Sequence, residues 1–137
     1  MPANNNPIFS KKGALQWAAA ALTAANTAKD GTGTVSTIFT AGVEGNFLHK
    51  LIARPLGTNV ASVLRVFVNN GLTNATAANN TLIAEFSLPA TTLSEVAAQP
   101  SFELPLNFIL PATFRINCTL GTAVVAGFSL TIIGGEY

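Results

Sequence analysis

From residue 34 onward, apolar and polar residues alternate with period two, the pattern of strands that turn one face to a core. Val35 and Phe39 share a face of the first such run. Phe47, His49, Leu51 and Ala53 oppose Leu48, Lys50, Ile52 and Arg54, and Leu64, Val66 and Val68 oppose Val63, Arg65 and Phe67. Leu82, Ala84, Phe86 and Leu88 oppose Ile83, Glu85 and Ser87, while Phe102, Leu104, Leu106, Phe108 and Leu110 keep one parity. Phe114, Ile116, Cys118 and Leu120 oppose Arg115, Asn117 and Thr119, and Val124, Ala126, Phe128, Leu130 and Ile132 form the last run. Val, Ile, Phe and Thr, which suit a pleated, half-buried surface, fill most of these positions.

Turn signals separate the runs: Lys29-Asp30-Gly31, Asn69-Asn70-Gly71, Leu88-Pro89-Ala90, Leu110-Pro111-Ala112 and Leu120-Gly121-Thr122. Pro105 lies inside one run and has no N–H to give a ladder, so that run is an edge strand, a bulge or two short strands. Seven or eight short strands in 137 residues predict one all-β domain, a single β-sandwich or barrel. A jelly roll of about eight antiparallel strands is the natural arrangement.

Two segments break the pattern. Residues 1–13 are polar, carry Pro2 and Pro7, and contain one apolar pair, Ile8-Phe9, followed by Lys11-Lys12. They read as an extended arm that docks on a partner, with Ile8 and Phe9 as anchors and the lysines beside acidic groups. Residues 14–29 are Ala-rich and suit a helix by propensity. An extended first strand is preferred, and the sandwich is assigned to residues 14–137.

Unpaired charge is costly to bury, so Lys50, Arg54, Arg65, Glu85 and Arg115 should point outward. Their parity-mates Leu48, Ile52, Val63, Phe67 and Ile83 would then line an apolar outer face, the mark of an interaction surface. This predicts a homo-oligomer, with a trimer preferred.

Composition strengthens that expectation. Hydrophobic residues make up 49% of the chain but charged residues only 9%, against about 25% in a typical soluble domain. Asn, Thr, Ser, Ala and Gly must then cover much of the surface, which protects poorly against association. A net charge of +1 is too small to draw in nucleic acid or an acidic membrane. No apolar run reaches the ~18 residues of a membrane helix, and no secretory leader is evident. Synthesis in a bacterial cytoplasm is expected.

Candidate chemistry is sparse. His49 is the single histidine and Asp30 the single aspartate, and they stand in different elements. No Ser occupies a Gly-x-Ser-x-Gly turn. Cys118, the single cysteine, alternates with apolar residues and reads as a core thiol. The five glutamates show no spacing that pairs them, and Gly31 and Gly33 read as a turn, with no lysine-bearing helix after them. No catalytic, cofactor-binding or metal-binding residue is assigned, and no enzyme is expected.

Several segments carry a resemblance. Asn6-Pro7-Ile8-Phe9, Trp17, the run Thr23–Val43 (TAANTAKDGTGTVSTIFTAGV), LGTNVASVLRVFVNNG from Leu56 to Gly71, Leu82–Glu95 and the closing Gly134-Gly135-Glu136-Tyr137 together cover most of the chain. With them the sequence resembles a group of small bacteriophage and prophage virion proteins. The stretch around LQWAAAAL is richer in Ala than that pattern. The resemblance implies a jelly-roll decoration or cement protein on the outer head surface. There it would bind the major capsid protein, often as a trimer at local threefold positions, and clamp capsomers against the pressure of packaged DNA. A tail or fibre component, with a host surface glycan as its ligand, is the alternative.

Overall fold

The alternating runs become eight strands in a computed structural model that describes residues 10–137. They are β1 (Lys12–Trp17), β2 (Ser36–Thr40), β3 (Asn46–Pro55), β4 (Ser62–Asn69), β5 (Asn80–Leu88), β6 (Phe102–Leu110), β7 (Arg115–Leu120) and β8 (Phe128–Glu136). A 3-10 turn, Ala77–Asn79, leads into β5. The strands form two four-stranded sheets, ordered β1-β8-β3-β6 and β2-β7-β4-β5, with every pair antiparallel. The chain changes sheet at every connection except the one from β4 to β5. The protein is therefore an all-β sandwich.

The inner faces meet in one core. Phe39, Leu51, Leu64, Val66, Ile116, Leu120, Phe128, Leu130 and Ile132 are buried in it, with Cys118 among them. Residues 14–29 contain no helix. After β1, Leu22 and Ala25 make single bridges to Phe128 and Leu120, and Ala18 and Leu22 are buried. Helix propensity is worth only tenths of a kcal/mol per residue, and here it yields to sheet pairing and burial. Lys12 and Gly13, grouped with the arm by sequence, open β1 opposite Glu136 and Gly135.

Register shifts interrupt β2 between Thr37 and Phe39, and also β3 and β5, where they bear on the expected faces. Against β8, β3 carries an extra residue at His49, since Leu48 pairs with Gly134 but Lys50 with Ile133; against β6 the longer side is β6, where Leu106 and Asn107 stand between the partners of Leu48 and Lys50. A bulge advances the strand by one residue and reverses the parity behind it. Leu48 consequently turns inward together with Leu51 and Ala53, and is fully buried in the core. In β5 the extra residue is Ile83, since Val66 pairs with Ala84 but Phe67 with Leu82.

Phe67 keeps its outward parity on β4 yet has no exposed surface, and it lies outside the core between the sheets. The chain itself covers it. The Asn26 N–H donates to the Leu120 carbonyl (2.8 Å), and Asn80 Nδ2 donates to the Asp30 carbonyl (3.2 Å). Leu120 pairs with Leu64, and Asn80 with Asn69 at the other end of β4. Residues 25–35 therefore run as a strap across the outer face of the second sheet. Asn74 Nδ2 fastens the strap's return at the Gly33 carbonyl (2.8 Å).

Cys118 sits at the centre of this packing with no exposed surface, and burial pushes its thiol pKa far up. A thiol reagent should label it slowly in the native protein and rapidly after denaturation. Cys118→Ala should lower stability by about 1 kcal/mol, as small core truncations do. Fast native labelling would place the β7 register wrongly.

Candidate interaction surface

The two sides of the sandwich end differently. On the β1–β2 side, Gln16 Nε2 donates to the Thr40 carbonyl (3.0 Å), and its Oε1 accepts the Thr40 N–H (2.9 Å). One primary amide thus copies a strand residue and laces the sheets together. On the β5–β6 side no such lacing is seen among the described residues. Phe86 of β5 and Phe102 of β6 meet edge to face (6.0 Å between ring centroids), and beyond them the side opens into a cleft of about 380 Å³, in which every lining side chain is apolar. Leu104, Leu106 and Phe108 of β6 face Ala84 of β5 and Val68 of β4, all half-buried, and Ile83, Ile109 and Pro111 form the rim.

Local chemistry keeps this side open. β6 carries Pro105, which has no N–H, and Asn107 at φ 54° where its register to β3 shifts. β5 carries the Ile83 bulge. Such irregular edges resist addition of a further strand. The nearby charges point outward and are matched: Arg65 Nε lies 2.8 Å from Glu85, and Lys50 Nζ 3.2 Å from Glu103. The side chains of the cleft are apolar, with edge backbone exposed between them, and apolar area buried there gains roughly 25 cal/mol per Å².

A second apolar surface lies on the outer face of the first sheet. Leu15 (55% exposed) and Trp17 (64% exposed) stand on β1. Leu15 pairs with Ile133, and Trp17 with Thr131, which in turn pairs with Ile52. Ile52 is half-buried on this face, on the side its parity predicts.

The sequence-derived interface residues do not gather. Leu48 is in the core and Phe67 is under the strap, so neither offers surface to a second subunit, and the expected face of Leu48, Ile52, Val63 and Phe67 is not formed. Val63 is half-buried against Gly121, on the other sheet from Ile52. Lys11 is exposed, and its N–H donates to the Glu136 carbonyl. Lys12 pairs with Glu136 at 3.1 Å within the chain. Ile8 and Phe9 lie outside the described residues.

The cleft is not visible in the alternation because most of its residues have inward parity and look like core. Pro105 was the available signal: it marks β6 as an edge, and an edge leaves its inward side chains half covered. Leu15 and Trp17 were hidden by the Ala-rich composition around them.

Groups that could do chemistry lie apart. His49 is exposed at the β3 bulge on the first sheet, whereas Asp30 is in the strap over the second. The Asp30 carboxylate accepts the Thr32 hydroxyl (2.6 Å) and the Thr32 N–H (3.0 Å), which holds its pKa below the usual carboxylate value. Among the described residues no three His, Cys, Asp or Glu side chains cluster as metal ligands would. Comparison with protein-family models, with curated proteins and with solved structures finds no match to this chain.

The strap makes two expectations. Phe67→Ala should cost about 3–5 kcal/mol, as large core truncations do, seen as a fall in the urea midpoint that does not depend on protein concentration. A concentration-dependent loss would instead make Phe67 an interface residue. The Asp30 contacts hold the strap turn above the ordinary carboxylate range and are lost as pH falls through it and below. Amide exchange at residues 30–34 should therefore quicken in acid relative to its intrinsic rate, and Asp30→Ala should abolish that acid step.

Proposed function

We propose that this chain is a structural protein of a bacteriophage particle: a decoration or cement protein that binds the major capsid protein on the outer head surface and stabilises contacts between capsomers. The observation that carries the reading is the pairing of two unfilled apolar surfaces, the β5–β6 cleft and the Trp17 face, with a chain that is only 9% charged. A protein of this kind exposes apolar area where partners cover it. The resemblance to phage virion proteins supports the same reading. The strand orders β1-β8-β3-β6 and β2-β7-β4-β5 fit a jelly-roll winding.

In this reading the two surfaces have separate tasks. The Trp17 face lies on the outside of a sheet and is suited to a broad, shallow contact with the shell. Each copy adds a modest desolvation gain, and many copies together resist expansion of the head. The protein works as a trimer and carries out no reaction.

The exposed indole of Trp17 also favours a second reading, a tail or fibre component that binds a host glycan, because a sugar ring can stack on its face. One sedimentation experiment separates the two. Full-length protein should pellet with undecorated heads of the parent phage, and Trp17→Asp should reduce occupancy at least tenfold while the far-ultraviolet circular dichroism stays unchanged. Failure of the wild type to bind heads, together with Trp17-dependent binding to host cell envelopes, would replace the head reading with the tail reading.

A further inference from the structure

The β5–β6 cleft is large enough for substantial apolar side chains, the side chains lining it are all apolar, and its two irregular edges disfavour an added strand. What fits it is a pair of side chains presented by an extended segment. Apart from the core runs, this sequence carries such a pair at Ile8-Phe9, set between polar residues and preceded by Pro7.

Reach decides which copy supplies it. Ser10 packs against Gly135 of β8, and the Lys11 N–H bonds to Glu136 of β8. In the order β1-β8-β3-β6 the cleft strand β6 lies two to three strands away, on the order of 10–14 Å, and the cleft opens beyond it, between the sheets. Ile8 is two residues from Ser10, a span of about 7 Å at full extension. A chain therefore cannot fill its own cleft with this pair.

We infer that Ile8 and Phe9 of one copy insert into the β5–β6 cleft of a second copy. The β1 side of one subunit then faces the β5–β6 side of the next. This is a head-to-tail contact between different surfaces, which closes into a ring when the rotation per subunit allows it. Two copies that exchange arms reciprocally are the smallest such closure, and a trimer is the next. The contact is one of self-assembly and does not depend on where the assembly is used.

Two variants at accessible positions test it in the full-length chain. Wild type should scatter light as a multiple of one 14.1 kDa chain at micromolar concentration. Phe9→Asp and Ile109→Asp should each fall to the mass of one chain with unchanged circular dichroism; Ile109 is 61% exposed on the rim, so the substitution spares the core. In a Cys118→Ala background, a Phe9→Cys chain mixed with an Ile109→Cys chain should form a disulfide-linked pair on oxidation, and neither alone should. A monomeric wild type, assembly undiminished by Phe9→Asp, or a bond that closes within one chain carrying both cysteines would each overturn the inference. Because Trp17 is left intact, loss of assembly here is read separately from loss of head binding.

Discussion

The fold depends on satisfying inward-turning backbone without charge. A loop that dips into a sandwich takes peptide groups away from water, and each needs a partner. In this chain asparagine supplies it, since a primary amide carries both donors and an acceptor. Asn59 Oδ1 accepts the N–H groups of Ala126 and Gly127 (both 2.9 Å), and its Nδ2 donates to the Gly127 carbonyl (3.1 Å), tying the loop after β3 to the entry of β8. Asn46 does the same at the other end: Oδ1 accepts the Gly42 N–H (2.8 Å), and Nδ2 donates to the Gly135 carbonyl (3.2 Å). Asn26 closes the strap on itself through the Thr32 and Thr34 carbonyls and the Ala28 N–H.

The two sides of the sandwich show the same device present and absent. Gln16 extends amide lacing to the β1–β2 side and seals it. The β5–β6 side has Pro105, a positive φ at Asn107 and a bulge at Ile83 instead, and beyond the Phe86–Phe102 ring contact its apolar side chains are left half covered. The apolar surface of this protein is thus a product of how the edges end, rather than of one outward sheet face.

Alternation alone identified the fold class, and it assigned the inward residues of β6 and β7 correctly. It misplaced Leu48 because a single inserted residue at His49 reverses a face, and nothing in FLHKLIAR distinguishes a bulged strand from a regular one. Phe67 was given the correct side of β4, but its cover comes from residues 25–35, a contact no local pattern encodes. The Ala-rich stretch could not be settled by propensity, because Ala suits a helix and also fits an extended chain lying close on a sheet. Composition places asparagine on the surface, whereas Asn46, Asn59, Asn69 and Asn117 are buried. Asn46 and Asn59 serve loops that turn inward, whereas Asn69 and Asn117 bond to Asn80 and Thr37 on neighbouring strands, partners no local pattern names.

The neutral lacing also sets how the protein responds to ionic strength. Screening by dissolved salt weakens interactions between charges and leaves hydrogen bonds between uncharged amides and carbonyls largely untouched. The three ion pairs among the described residues each have at least one strongly exposed partner and contribute little to stability. The loops laced by Asn26, Asn46 and Asn59 are therefore held almost equally well in dilute water and in concentrated brine.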